Sequence, residues 1–238
     1  MISPSNILMY NGENLADFGG YIFGEGAWKR PSPDIDFVSV PGRNGDIPFF
    51  NGSYSNVSLT YNIIVMNHLD DVYGHYMSFL YNNIGYARLE DGDHPNVFRM
   101  AVFESSSTTI VKNGNDSGRF EIEFSAKPQQ WLKIGEIVQT LSQSGRIFNP
   151  TPFASKPFIR VYGTGALGIG DQIVNITQAE QYTDIDFELE EAYKGSVNCN
   201  ANIELSGSDF PSIPSGVVNI SLGSGITRVD ITPRWWTI

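Results

Sequence analysis

Gly163, Gly165 and Gly168 stand in the G-x-G-x-x-G spacing of dinucleotide-binding loops, directly after the apolar run FIRVY. That chemistry needs a helix opening at the loop, whose free amides and dipole hold a pyrophosphate. The residues that follow, DQIVNITQAEQYTDIDFELE, are β-branched and alternating, and no Walker lysine is present. The three glycines therefore read as a tight, positive-φ hairpin connection between two antiparallel strands. Metal chemistry would fall to His68, His75 and His94, all in the first half of the chain. His68 and His75 could share a helix face, but neither H-E-x-x-H nor a third ligand at a familiar spacing accompanies them. LEDGDHPN opens like a calcium loop, yet Pro95 and the missing Gly and Glu positions break the pattern, leaving an Asp/Gly turn.

Carboxylate chemistry has its densest candidates in DIDFELEEAY. On one strand Asp184, Asp186, Glu188 and Glu190 would line one face and Ile185, Phe187 and Leu189 the other, the pattern of a half-solvated strand. A glycosidase would need two of these acids opposed across a cleft. No G-x-S-x-G occurs, and the second half has no histidine to activate a serine. Cys199 is the only cysteine, which excludes an intramolecular disulfide and a cysteine zinc site; it is expected to be a buried, inert thiol. The N-x-[ST] triplets at Asn51, Asn56, Asn115, Asn175 and Asn219 follow from an Asn/Ser-rich composition. No catalytic, cofactor-binding or metal residue is assigned.

The elements that carry these residues are mostly strands. Of 238 residues, 41% are hydrophobic and 17% charged, with 24 Gly and 13 Pro, a composition of short strands and many turns. The formal charge of −11 is spread evenly, with nine Lys/Arg against fifteen Asp/Glu in 1–133 and six against eleven in 134–238. No basic face invites a phosphate backbone, so nucleic-acid recognition is not expected. No apolar run approaches the ~20 residues of a spanning helix, and no basic-plus-apolar leader is visible; a product made in the cytoplasm, without membrane insertion, is expected.

Along the chain, Val57, Leu59 and Tyr61 alternate before NIIVM, predicting a long strand. DDVYGHYMSFLYNNIG predicts the one helix, with Val72, Tyr76, Phe79 and Leu80 on one face and Asp70 and Asp71 in its first turn. Phe120, Ile122 and Phe124 alternate strictly in the last strand of the first half. From Pro157 on, strands follow one another between Gly/Ser/Pro/Asn gaps, as in a sandwich. The fold class is mainly β: an N-terminal β-sandwich or split barrel with one helix over 1–133, a linker over 134–149, and a β-sandwich over 150–238.

The order of segments carries a resemblance. WKRP, VPGRNGDIPFFNGSY, RLEDGDHPNVFRMAVF, FEIEFSAKPQQWL, NPTPFASKPFIRVYGTG, DIDFELEEAY and ITRVDITPRWWTI follow one another in this sequence. Together they resemble the distal tail proteins (Dit) of long, non-contractile phage tails. The resemblance implies a non-enzymatic virion protein at the tail tip, a homohexamer whose N-terminal domains close a ring around a channel that DNA can traverse. It implies a galectin-like C-terminal sandwich projecting outward, and as partners the tail tube protein, the tail-associated lysin or hub, and receptor-binding or baseplate proteins. No cofactor is implied. A galectin site stacks a sugar on Trp among His, Asn and Arg, whereas 150–234 contains neither Trp nor His, so a scaffold surface is expected.

Ring closure by identical subunits needs two different patches meeting head to tail. The Pro/Gly-rich arm from Trp28 to Phe50 is rich in apolar residues yet lacks a periodic inward face. It is the expected contact to a neighbour, through Trp28, Arg30, Val40, Pro41, Gly42, Arg43, Asn44, Gly45, Phe49 and Phe50. Trp235 and Trp236 are expected on opposite sides of a strand, one sealing the outer domain and the other the linker or ring domain. The alternative function is a carbohydrate-binding module for host cell-wall polysaccharide; a wall-degrading glycosidase rests on the carboxylates alone.

Overall fold

The computed structural model describes residues 6–24, 29–104, 110–114 and 116–238. It divides into two compact units, one running to Gln130 and including the terminal Ile238, the other spanning Trp131–Thr237. Both are built from antiparallel strands, and the single α-helix among the described residues lies in the first.

The first unit opens with three short strands, β1 (Leu8–Tyr10), β2 (Glu13–Asn14) and β3 (Gly20–Ile22). Next come β4 (Pro33–Val38) and β5 (Ile47–Tyr54), and then the long β6 (Val57–Val65), which leads into α1 (Leu69–Asn82). The strands β7 (Ala87–Asp91), β8 (Val97–Glu104), β9 (Val111–Asn113) and β10 (Ser117–Ala126) complete it. The main sheet runs β2-β1-β7-β8-β10-β6-β3, with β9 added to β10, while β4 and β5 pair only with each other. Alternation fixes the pairing at its centre. Phe120 lies opposite Ile63, Ile122 opposite Tyr61 and Phe124 opposite Leu59, all buried on one face. A slip of one residue would turn that whole row to water.

Helix α1 closes this core with Leu69, Val72, Tyr76, Met77 and Leu80 buried, the stripe that i, i+3, i+4 spacing requires. Tyr73 meets Phe120 edge-on at 5.1 Å, and Tyr76 lies against Phe18 at 5.9 Å. His68 precedes the helix in the left-handed region and caps nothing with its side chain. The cap comes from the β9–β10 turn: the His68 N–H donates to Asp116 Oδ1 (2.8 Å) and the Leu69 N–H to the Asp116 carbonyl (3.1 Å).

β11 (Gln130–Leu132) leads into the second unit and pairs with the last strand, β23 (Trp236–Thr237). Between them lie β12 (Gln139–Leu141), β13 (Gly145–Asn149), β14 (Phe158–Gly163), β15 (Gly165–Ile169), β16 (Gln172–Ile176) and β17 (Tyr182–Asp186). β18 (Glu191–Lys194), β19 (Val197–Asn198), β20 (Ile203–Leu205), β21 (Gly216–Leu222) and β22 (Ile226–Thr232) follow. Two sheets, β12-β22-β14-β17-β18-β19 and β13-β21-β15-β16-β20, enclose one core. Ile159, Val161, Ile185, Val229 and Ile231 face inward from the first sheet, and Ile147, Leu167, Val174, Val218 and Ile220 from the second. This is a β-sandwich.

Three sequence expectations change here. The segment 134–149, read as a linker, contributes β12 on β22 and β13 on β21, so it is folded into the second unit. The Gly163–Gly165 turn is not a hairpin: β14 belongs to one sheet and β15 to the other, so the glycines carry the chain across the sandwich. The return crossing, Gly223–Gly225 between β21 and β22, lies against it. The Gly223 N–H donates to the Ala166 carbonyl at 2.8 Å. Third, the strand predicted through DIDFELEEAY ends at Asp186. Asp186 Oδ1 accepts the N–H groups of Glu188 (3.0 Å) and Leu189 (3.2 Å), and Glu190 takes φ 57°, which turns the chain back into β18.

Candidate functional site

The arm is a two-stranded ribbon. Ile35 lies opposite Phe50, Asp36 opposite Phe49, Phe37 opposite Pro48 and Val38 opposite Ile47, with Pro33 opposite Tyr54 beyond a bulge. Because side chains alternate, Ile35, Phe37, Pro48 and Phe50 share one face, and Asp36, Val38, Ile47 and Phe49 the other. Phe37 is 67% exposed and Phe49 64%, so neither face has a core beneath it. Within the ribbon, Phe50 packs on Tyr54 (5.5 Å), Asn51 donates to Asp36 (3.0 Å) and Ser53 to Asp34 (3.0 Å). Its tip turns through Gly42 (φ 80°) and Gly45 (φ 79°), with the Arg43 N–H donating to the Val40 carbonyl (3.1 Å).

Among the residues expected to touch a neighbour, Val40, Pro41, Gly42, Arg43, Asn44 and Gly45 form this exposed tip. Phe49 and Phe50 stand on opposite faces of the ribbon, Arg30 is exposed at its base, and Trp28 lies outside the described residues. Sequence reading missed Phe37, Val38 and Ile47, whose alternation looks like any surface strand until the pairing sets Val38, Ile47 and Phe49 beside Asp36 on the second face. A lone two-stranded ribbon is marginal in water, and burying an aromatic or branched side chain contributes about 1.5–3 kcal/mol.

The histidines form no site. His68 and His75 are exposed, and His94 Nδ1 lies 2.9 Å from Asp91, whose other oxygen accepts from the Tyr61 hydroxyl (3.0 Å). The His94 N–H also donates to Asp91, which makes LEDGDHPN the Asp-organised turn expected of it. Burial, and then the Asp91 charge, push the Tyr61 phenol well above its ordinary pKa. Buried Arg99 donates to the carbonyls of Lys127 and Pro128, both at 3.2 Å. The crevice between these groups has room for about one water. Among the described residues no group of three His, Cys, Asp or Glu could hold a metal. Cys199 is half-buried rather than buried, at the start of a short 3₁₀ turn.

Of the four acids expected on one solvated face, Glu188 and Glu190 are exposed, but the other two are not. Asp184 and Asp186 are each only 4% exposed. Asp184 receives Arg160 through two bonds (2.6 and 2.8 Å), and Asp186 receives Arg234 likewise (2.7 and 2.8 Å). Burial alone would raise the Asp186 pKa, but Arg234 and the two turn amides outweigh it and hold the carboxyl below the ordinary value. A glycosidase acid needs the reverse, a carboxyl kept protonated near neutral pH.

On the outward face of the same sheet two guanidinium groups lie over tyrosine rings. Arg160 lies over the Tyr182 ring at 4.2 Å and Arg228 over Tyr162 at 4.0 Å. Trp235 is buried in the sandwich core, as expected of one of the pair. Trp236 stacks on Phe153 (4.4 Å, 21°) and donates to the Ala154 carbonyl (2.9 Å), so its partner belongs to its own sandwich. The left-handed turn at Arg234 sets both rings.

No family model and no curated protein matches the sequence. Solved structures do. The crystal structure of the SPP1 Dit protein, described as a paradigm of the hub adsorption apparatus in phages infecting Gram-positive hosts, superposes with a TM-score of 0.71 at 14% identity. The match covers 98% of this chain and 99% of that one. Two structures of the phage P2 baseplate in its activated conformation, with Ca and with Sr, each give a TM-score of 0.52 and cover 94% of this chain and 96% of theirs, at 9% and 10% identity. From end to end, with both units and the arm included, the chain has the fold of a phage distal tail protein.

Proposed function

We propose that this chain is a structural, non-enzymatic component of a long, non-contractile phage tail, forming a six-membered ring at the distal tip. The ring joins the tail tube to the tail-associated hub and carries receptor-binding or baseplate proteins at its periphery, and the finished protein resides in the virion. One observation carries this reading: the fold of SPP1 Dit extends over both units and nearly every residue of each chain. The arm supports it, because burying Phe37 and Phe49, exposed on opposite faces of the ribbon, against a partner would be favourable. In a cyclic homo-oligomer that partner is the next copy, met head to tail. The locked carboxylates of the sandwich favour a scaffold over a hydrolase.

Light scattering on the purified protein, with negative-stain images of the same peak, tests the reading. Rings at six times the chain mass are expected, and deleting residues 39–46 should yield a folded monomer. A full-length protein that stays monomeric at every concentration, or six-fold rings that survive the deletion, would overturn the ring or the role of the arm respectively.

A further inference from the structure

A head-to-tail ring needs a seat for the arm, and the first unit offers a specific one. Among the described residues outside the ribbon, its large exposed apolar side chains are Phe23, Met66, Tyr81, Ile84, Tyr86 and Val111. Three of these fall within six residues, at the turn from α1 to β7. Ile84 is 97% exposed, and the structure around it is built rather than slack. The Asn83 side chain donates to the Phe79 carbonyl (2.7 Å) and accepts from the Asn11 side chain (2.5 Å). Gly85 takes φ 110°. Tyr81 packs edge-on against Phe103 (5.3 Å), which continues the apolar surface onto β8. Single exposed apolar residues are ordinary, but three within six residues of one turn concentrate apolar surface there.

Tyr86 ties this patch to the root of the arm. Its hydroxyl accepts from Asn56 (2.6 Å), two residues after β5, and the Lys127 ammonium lies over its ring (5.1 Å). Arm root and patch therefore occupy one surface of the unit. From Asn56 to the tip near Asp46 the ribbon reaches roughly 33 Å, at about 3.3 Å per residue. A globular unit of some 130 residues is roughly 35 Å across. The arm thus has the length needed to leave one copy at this surface and end at the same surface on the next.

We infer that Tyr81, Ile84 and Tyr86 form the seat on which a second copy of this chain lays the tip of its arm, around Val38, Val40 and Ile47. This inference rests on the ring reading above. The test uses two full-length single-cysteine proteins in a Cys199→Ser background, Val40→Cys and Ile84→Cys, one carrying a size tag. They are co-expressed, treated with a short bis-maleimide and resolved on a denaturing gel, with mass measured in parallel by light scattering. A mixed-size dimer is expected for this pair and not for Val40→Cys with Ile173→Cys, an exposed position in the second unit. Ile84→Glu should reduce the ring fraction at least tenfold with the melting temperature unchanged. Rings without the mixed dimer would overturn the seat and leave the ring standing. A parent protein that never leaves the monomer would remove the ring, and the seat with it.

Discussion

Gly163 and Gly225 confront each other where the chain twice crosses between the two sheets of the second unit. A β-carbon on Gly163 would lie 2.0 Å from the Gly225 carbonyl oxygen, and both residues are at positive φ, 99° and 102°. Two crossings, distant in sequence, are packed backbone against backbone. Two of the three glycines that resemble a nucleotide loop, Gly163 and Gly165, thus answer to sandwich closure.

Gly163→Ala must therefore both strain the backbone and part the two crossings. A loss on the order of 2–4 kcal/mol is expected. Gly216→Ala supplies the contrast. Its φ is 87°, but a β-carbon there would meet nothing within 4 Å, so only conformational strain of about 1 kcal/mol is expected. Urea denaturation followed by tryptophan fluorescence separates the two, and equal costs would mean that the close approach is not what demands glycine.

Asp186 and Arg234 form the second constraint on the sandwich. Removing the carboxylate by Asp186→Ala leaves a half-buried guanidinium and frees the amides of Glu188 and Leu189. Breaking a buried pair from one side costs roughly 3–5 kcal/mol, and partial exposure of Arg234 places this case at or below the lower end. The double variant Asp186→Leu/Arg234→Met should recover part of the loss, because no charge is then stranded. If the double variant lost as much stability as Asp186→Leu and Arg234→Met together, the pair would not be coupled as its geometry requires.

How much of this is legible in the sequence depends on how local the signal is. The β6 and β10 alternation and the α1 stripe are local, and each element forms where its period predicts. The acids are misread because alternation reports burial periodicity and not which partner waits. Arg160 lies 24 residues from Asp184, and Arg234 lies 48 from Asp186. Gly163–Gly165 looks the same in sequence whether the next strand pairs with the last or crosses to the other sheet. The segment 134–149 has two short strands whose partners, β22 and β21, come some 70 to 90 residues later, so its weak period reads as a linker. In the arm, the missing inward face is visible in sequence, whereas the equal exposure of Phe37 and Phe49 needs the pairing register.

The pH dependence has two limbs of opposite sign. Asp186 has a depressed pKa in the folded state, so its contribution is complete above the unfolded value near ~4 and is lost as pH falls through and below it. Buried Tyr61 and Tyr76 have raised pKa values, so their contribution is complete below ~10 and is lost as pH rises beyond it. Melting temperature should fall at both extremes. Asp186→Asn should flatten the acid limb alone, and Tyr61→Phe should soften the alkaline one. An acid limb unchanged in Asp186→Asn would assign it to other carboxylates.

Phe37 and Phe49 stand exposed on the arm, so substituting them distinguishes an effect on assembly from one on stability. Phe37→Ser with Phe49→Ser removes one aromatic from each face of the ribbon and leaves both unit cores intact. The monomer should melt within a degree or two of the parent, since exposed substitutions away from structural features usually change stability by no more than ~0.5 kcal/mol. In an assembled ring the same two residues would be buried, at about 1.5–3 kcal/mol each per interface. Six interfaces close one ring in the proposed assembly, so even a partial loss at each multiplies around it. Light scattering should then show monomer at concentrations where the parent is a ring. A matched fall in melting temperature and assembly would instead mean that the ribbon is part of the fold of its own unit.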